Sequence, residues 1–359
     1  MSPFRTAAGV ILLSRDVYGL ARRIQDDDRG TLWRVLGVLD GTRSIPSVIE
    51  LLREQDPLLE PSEIHRAIAR LHRLGIVEDA GVVAPGEFSS EELLRYSRNF
   101  DFFGIAALGT ARSTYELQSR LKRARVTVLG IGGVGGATAS SLVAAGVGHL
   151  RIIDSDRVET SNLNRQLLFG SRDIGRLKVE VAAERLRDLN PHVTVAADIQ
   201  RAETATDLPA LVRGCDLFVL GADQPHEILH WTNDAAVSEG IPWLENSYNG
   251  PRCAIALFVP GRTPCLRCLE HHLLAGLHTR GLAEGTELFP TNSANPVLAP
   301  TAGVAGHLGA LQALYFLTGL PAAAEGRLLH LNLWRPTDVR LVAPPYWPDC
   351  PTCGGQHRP

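Results

Sequence analysis

Two groups of residues in this 359-residue chain have types and spacings that carry chemistry. The first is Val126-Thr-Val-Leu-Gly130-Ile-Gly132-Gly133-Val-Gly135, an apolar strand running into a glycine turn. Glycines there let backbone N–H groups approach a phosphate at a helix N-terminus, where the helix dipole favours anions. Asp154 follows 19 positions after Gly135. That is about the separation (~20 residues) at which an acidic residue meets ribose hydroxyls. The second group is a pair of knuckles, Cys265-Leu-Arg-Cys268 and Cys350-Pro-Thr-Cys353. Four thiolates make a closed tetrahedral zinc site, which is structural rather than catalytic. One such pair alone could be redox-active; two together point to metal, and zinc would pin the C-terminal tail to the domain that precedes it. Cys215 and Cys253, flanked by apolar strands, are expected to be buried.

The segment after Asp154 distinguishes NAD from ATP. Asp154-Ser-Asp156 leads to Ser161-Asn162-Leu-Asn-Arg165-Gln166 and then to Gly175-Arg-Leu-Lys178. A dehydrogenase has no need of this polar series, whereas a triphosphate needs cations beside its phosphates. Lys178 is one of only two lysines against 34 arginines. A compact ammonium suits bridging phosphate oxygens, although a lone lysine is as often a solvated helix residue. Asp223, in Gly221-Ala-Asp223 beyond the apolar run 217–220, falls where ligands of parallel sheets bind. Taken singly it would be a turn residue.

These residues need an α/β scaffold. Apolar runs at 126–129, 150–153, 193–197, 217–220 and 243–246 predict buried strands, with helices between them in right-handed βαβ units of a Rossmann-like, mostly parallel sheet. Runs at 254–259, 328–333 and 338–342 predict an antiparallel extension. Residues 1–85 differ. They predict a small winged-helix-like domain with strands at 9–13 and 17–24, helices at 31–39, 45–53 and from Pro61, and a return strand at Ile76-Val77. Residues 86–120 form a linker and helical arm, and 121–359 the sheet domain with its cysteine knuckles.

Hydrophobic content of 45% and charge of 21% exclude a disordered chain, and the net charge of −3 gives no basic balance for nucleic acid. Residues 1–88 hold 11 arginines, no lysine and 13 acidic residues, which argues against DNA. An exposed strand edge beside a helix can instead capture an extended peptide. The uncharged run 296–324 predicts a buried helix, and no membrane span or signal peptide is expected. The cysteine usage favours a reducing, cytoplasmic compartment.

Together Asp154-x-Asp156, Ser161-Asn162-Leu-Asn-Arg165-Gln166 and Gly175-x-x-Lys178 resemble the ThiF/MoeB adenylyltransferase family of the ubiquitin-activating superfamily, over about residues 93–356. The resemblance implies ATP, with Asp154 on the ribose, Asn162, Arg165, Gln166 and Lys178 on phosphates, and Asp223 organising Mg²⁺. It also implies that Arg98, in Arg95-Tyr-Ser-Arg98-Asn-Phe100, reaches the partner's ATP across a homodimer. Within the superfamily the chain is similar to the microcin C type, which joins a peptide-clamp domain to a ThiF-like domain with zinc knuckles. That implies adenylation of a carboxylate of a ribosomally made precursor peptide in natural-product (RiPP) biosynthesis, with the leader held by the N-terminal module. The alternatives are activation of a Gly-Gly sulfur-carrier protein, or a non-catalytic scaffold presenting a leader peptide. The segment 270–301 holds no cysteine, which argues against an internal thioester relay there. Its polar residues His278, Thr279, Arg280, Thr291, Asn292 and Asn295 could read a peptide end or form an ordered lid.

Overall fold

A computed structural model describes residues 3–13, 22–79, 81, 84–106, 113–278 and 295–354. The chain divides into two compact units, Met1–Glu116 and Leu117–Pro359.

The first unit opens with a three-stranded antiparallel sheet in the order β1 (Pro3–Arg5), β2 (Val10–Leu13), β3 (Arg22–Gln25). Three helices follow: α1 (Thr31–Val38), α2 (Ile45–Gln55) and α3 (Pro61–Arg73). Local chemistry sets the helix starts. Asp27 Oδ1 accepts the Thr31 N–H at 2.8 Å and Asp26 Oδ1 the Leu32 N–H at 2.9 Å, satisfying donors that a helix leaves free. Pro61 stands at the first turn of α3, and Glu63 accepts the Glu60 N–H at 3.1 Å. The stripe Ile64, Ala67, Leu71 of α3 closes a core with Ile11, Ile24, Leu32, Val35, Val48 and Leu52. Each large apolar side chain so buried stabilises the unit by roughly 1.5–3 kcal/mol.

Two expectations for this unit change. Ile76-Val77 is not a strand: the Ile76 N–H turns back to the Leu71 carbonyl at 3.0 Å, closing α3, while both side chains pack on the core. Of the expected strand 17–24, β3 keeps the end; positions 17–21 lie outside the described residues. The Pro85–Ser90 stretch ends in a capping box, with Ser89 and Glu92 exchanging hydrogen bonds at 2.9 and 3.2 Å. This starts α4 (Ser90–Arg95), which is followed by α5 (Ser97–Ala106). Phe88 is buried in an edge-on contact with Phe100.

Helix α6 (Thr114–Arg123) crosses the boundary at Glu116 and leads into the α/β domain of the second unit. Its succession is β4 (Arg125–Leu129), α7 (Gly133–Ala144), β5 (His149–Ile153), α8 (Lys178–Leu189), β6 (Thr194–Asp198), α9 (Leu208–Val212), β7 (Leu217–Leu220), α10 (Ile228–Glu239) and β8 (Trp243–Asn249). There follow β9 (Arg252–Phe258), α11 (Leu266–His278), α12 (Ala299–Thr318), β10 (Leu328–Asn332) and β11 (Val339–Val342). The eight-stranded sheet runs β11-β10-β9-β8-β7-β4-β5-β6. The five strands from β6 to β8 are parallel, and β9 to β11 add on antiparallel. Strand order therefore reverses between β4 and β7, which opens a crevice at their carboxyl ends. Apolar residues of α9, α10 and α11 pack on Phe218, Leu220, Trp243 and Phe258, with Trp243 stacked on Phe258 at 4.9 Å. On the other face α12 lies along α7, and the Thr138 hydroxyl donates to the Gly306 carbonyl at 3.1 Å. Among the described residues no helix is long and apolar enough to cross a membrane.

Candidate active site

The glycine turn sits at the β4–β7 crevice. Gly130 has φ +90°, which favours glycine, and a Cβ on it would lie 2.5 Å from the Ala222 nitrogen. A Cβ on Gly135 would overlap the Gly130 carbonyl oxygen. The turn, the first coil of α7 and the end of β7 thus meet backbone to backbone. Helix α7 begins at Gly133 with Gly132 as its N-cap and no side-chain cap, so its first N–H groups stay available to an anion.

Asp154 ends up 8% exposed beneath this turn. Its Oδ2 accepts the Ile131 N–H at 2.7 Å and its Oδ1 the Asp156 N–H at 2.8 Å. Burial pushes its carboxyl above the usual carboxylate range, against the pull of those two N–H groups and of Lys178. The side chain expected to meet ribose therefore also holds the phosphate turn in shape. Asp156 faces solvent and pairs with Lys178, the first residue of α8, at 2.9 Å.

The polar run forms a short 3₁₀ turn, Thr160–Asn162, and a loop packed against the start of α7. Asn162 is buried; its Oδ1 accepts the Glu159 N–H, and its carbonyl accepts from Arg165 and Gln166. The Arg165 guanidinium donates to the Ser161 carbonyl at 2.9 Å and to Asn164 Oδ1 at 3.0 Å. Gln166 is buried against Gly132, and its Oε1 has no hydrogen-bond partner among the described residues. A buried acceptor without a donor is costly, so this one fits a ligand group. A Cβ at Gly133 would stand 3.0 Å from Ala302, so the first turns of α7 and α12 adjoin beside Arg165.

Asp223 is exposed on the loop beyond β7. Burial raises the phenol of Tyr248 in β8, a residue not foreseen from sequence, while the Arg165 guanidinium pulls it down and the Asp223 carboxylate pushes it up. The polar run Glu245–Asn249 at the end of an apolar strand was the signal that could have found it. Arg98 belongs to the first unit, in the first turn of α5, where it is exposed and pairs with Asp101 at 3.1 Å. Of the polar residues at 278–295, Thr279, Arg280, Thr291, Asn292 and the His278 side chain lie outside the described residues, while Asn295 bonds Tyr248 and Gly250.

The four cysteines converge as expected. Their sulfurs lie within 4.8 Å of one another. Cys265, Cys268 and Cys350 are buried, and the Trp347 N–H donates to the Cys268 sulfur at 3.5 Å. The Cys265 thiol and the Trp347 N–H push Cys268 down toward thiolate, and the same sharing pushes Cys265 up. A set of four thiols at this spacing can hold zinc. The His271 ring stacks on that of Trp347, with centroids 4.4 Å apart. Cys215 and Cys253 are buried, and desolvation raises both thiols, Cys253 to about 11.

A sheet with a phosphate turn at its switch point and an Asn-Arg-Gln-Lys series beside it defines a nucleotide-binding α/β enzyme. Residues 96–352 match the ThiF family, and the chain belongs to it. It is 34% identical over 268 residues to the sulfur carrier protein ThiS adenylyltransferase of Bacillus subtilis, covering 74% of this chain and 73% of that protein. It is 30% identical over 271 residues to the molybdopterin-synthase adenylyltransferase of Escherichia coli, covering 75% and 99%. The protein is thus an ATP-dependent adenylyltransferase of ThiF/MoeB type. In fold it is similar to E. coli MccB solved with succinimide, at a TM-score of 0.75 and 22% identity, over 98% of this chain and 97% of that one. PaaA is similar at a TM-score of 0.70 and 22% identity, over 95% and 96%.

Proposed function

We propose that this enzyme adenylates a carboxylate of a ribosomally made peptide, within RiPP biosynthesis, and that a nucleophile then captures the acyl group. The carrying observation is the architecture of the whole chain. The ThiF match begins at residue 96, whereas the likeness to MccB, whose structures include one with AMPCPP and MccA, spans 98% of the chain. The first unit therefore has a counterpart in that fold, and we assign it to the precursor or leader peptide. The outer edge of β3 has no strand partner among the described residues, so an extended peptide could add there.

The chemistry follows from the crevice. A carboxylate oxygen of the peptide attacks the α-phosphorus of ATP; the bond to the leaving oxygen breaks and pyrophosphate departs with its electron pair. No protein group becomes covalent. The α7 N-terminus, Arg165 and Lys178 neutralise the phosphates, and Asn162, Gln166, Asp154 and Asp156 orient the nucleotide. Asp223 would hold magnesium, which supplies further charge neutralisation when bound. Zinc on the four cysteines would be structural. Arg98 acts across a homodimer, and the setting is the cytoplasm.

Activation of a Gly-Gly sulfur carrier is the second reading, favoured by the names of the relatives in sequence. ATP–pyrophosphate exchange decides between them. It is run with a short peptide encoded beside the gene and, in parallel, with a Gly-Gly carrier, using Asp223→Ala as the blank. Exchange with the peptide alone is expected; exchange with the carrier alone overturns the proposal. ATP binding without exchange on either substrate would favour a leader-presenting scaffold.

A further inference from the structure

Strand β8 outruns its neighbour. Leu220, the last residue of β7, pairs with Glu245, so β8 runs on through Asn246, Ser247 and Tyr248 past the end of β7, where the chain leaves the sheet toward Asp223. Side chains alternate along a strand. Asn246 donates to Thr138 of α7 at 2.8 Å, which fixes its face as the α7 and α12 side. Tyr248, two residues on, projects from that same face, where α7 begins and Arg165 lies. Its backbone is held from outside the strand: Asn295 Nδ2 donates to the Tyr248 carbonyl at 2.5 Å, and Asn295 Oδ1 accepts the Gly250 N–H at 3.1 Å.

Arg165, a cation that can only donate hydrogen bonds, and Asp223, an anion, are the charged groups that act on the phenol. A guanidinium can meet only the lone pairs of a phenol oxygen, which leaves the phenolic O–H to donate to an anion. Resting on the adenylation reading above, we propose that Tyr248 is a substrate-positioning residue whose O–H donates to the carboxyl group being adenylated. Arg165 is directed to the phosphates and Asp223 to their metal, so the incoming carboxylate is the anion remaining for the phenol. The tyrosine keeps its proton throughout. Its contact orients the attacking oxygen and then holds the carbonyl oxygen of the acyl adenylate.

The test compares two probes on the full chain carrying Tyr248→Phe, which removes the hydroxyl and keeps the ring. Glycyl-sulfamoyladenosine, a stable stand-in for an acyl adenylate, reports the acyl contact; AMPCPP reports the phosphate site alone. Calorimetric titration is expected to show about a tenfold loss of affinity for the sulfamoyl compound, the scale of one hydrogen bond to an oxygen acceptor, with AMPCPP binding within about twofold of wild type. A parallel loss for both ligands would mean that Tyr248 only props Arg165 and would overturn the proposal. Unchanged binding of both would also overturn it. Neither probe carries a peptide or a carrier, so failure of the peptide reading in the exchange assay leaves this outcome separately legible.

Discussion

The Lys178 ammonium lies 2.9 Å from the Asp156 carboxylate, with the lysine side chain 8% exposed and the aspartate 60%. This asymmetry separates catalysis from stability. An ion pair with one partner in water contributes at most about 1 kcal/mol to folding. On the proposed mechanism, a buried cation beside the phosphates would contribute far more to the reaction. Lys178→Met is expected to shift the urea midpoint little and to lower pyrophosphate exchange about 10²–10³-fold, the scale of losing one preorganised charge donor. Lys178→Arg should not restore the rate, because a planar fork does not replace a point charge. A large fall in stability with a proportionate fall in rate would assign Lys178 to the fold instead.

Glu245 gives the fold a pH dependence. Burial raises its carboxyl from 4.5 to about 7, opposed by the Ser247 hydroxyl. Leu220 and Ala256 flank it on the neighbouring strands, and neither carries a charge. The folded state therefore holds this proton more tightly than the unfolded chain. Between pH 4.5 and about 7 the folded state binds more protons, so this group makes stability fall as pH rises, and the loss is complete above about 7. Glu245 keeps some solvent contact, so the effect is about 1–2 kcal/mol rather than the full shift. Urea unfolding from pH 5 to 8 should show wild type losing stability relative to Glu245→Gln across that window. Parallel curves for the two proteins would remove Glu245 as the cause.

Much of the sheet could be read from residues because each parallel strand is a short continuous apolar run bounded by turns, as at Val126–Leu129 and Leu217–Leu220. The cysteines could be read because paired spacing constrains metal geometry more than it constrains anything else. Tyr248 was hidden for a physical reason: the charged groups that act on its phenol, Arg165 and Asp223, come from turns far away in sequence. The second task of Asp154, receiving the Ile131 and Asp156 N–H groups, was hidden in the same way. Ile76-Val77 misled because two apolar residues after a helix serve equally as a strand or as a cap packed on the core.

The cysteine cluster joins residues 85 positions apart, since Cys265 approaches Cys350 at 3.6 Å and Cys268 approaches Cys353 at 3.5 Å. A metal there cross-links the C-terminal segment to α11. Elemental analysis is expected to find about one zinc per chain, the content of a four-thiolate site. Its removal by a strong chelator should free residues near Trp347, including the His271 ring stack, before the sheet unfolds. Hydrogen exchange reads this directly. Early exchange confined to about residues 345–354 supports a local staple, whereas loss of protection across β4 and β7 would make the metal a requirement for the whole unit.

Arg98 offers the sharpest test of assembly. It is 91% exposed, and its visible partner is Asp101, one turn away on the same helix. So exposed an ion pair holds the arginine weakly, which leaves it available to another surface. If Arg98 serves the partner's crevice, a site is built from Asp223 of one subunit and Arg98 of the other. Arg98→Ala and Asp223→Ala homodimers should then both be inactive in pyrophosphate exchange. Mixed and allowed to exchange subunits, half the dimers are hybrids, and each hybrid contains one intact site and one doubly defective one. About a quarter of wild-type activity should return. No recovery, with subunit exchange verified by differently tagged chains, would place Arg98 in the site of its own subunit or outside catalysis altogether.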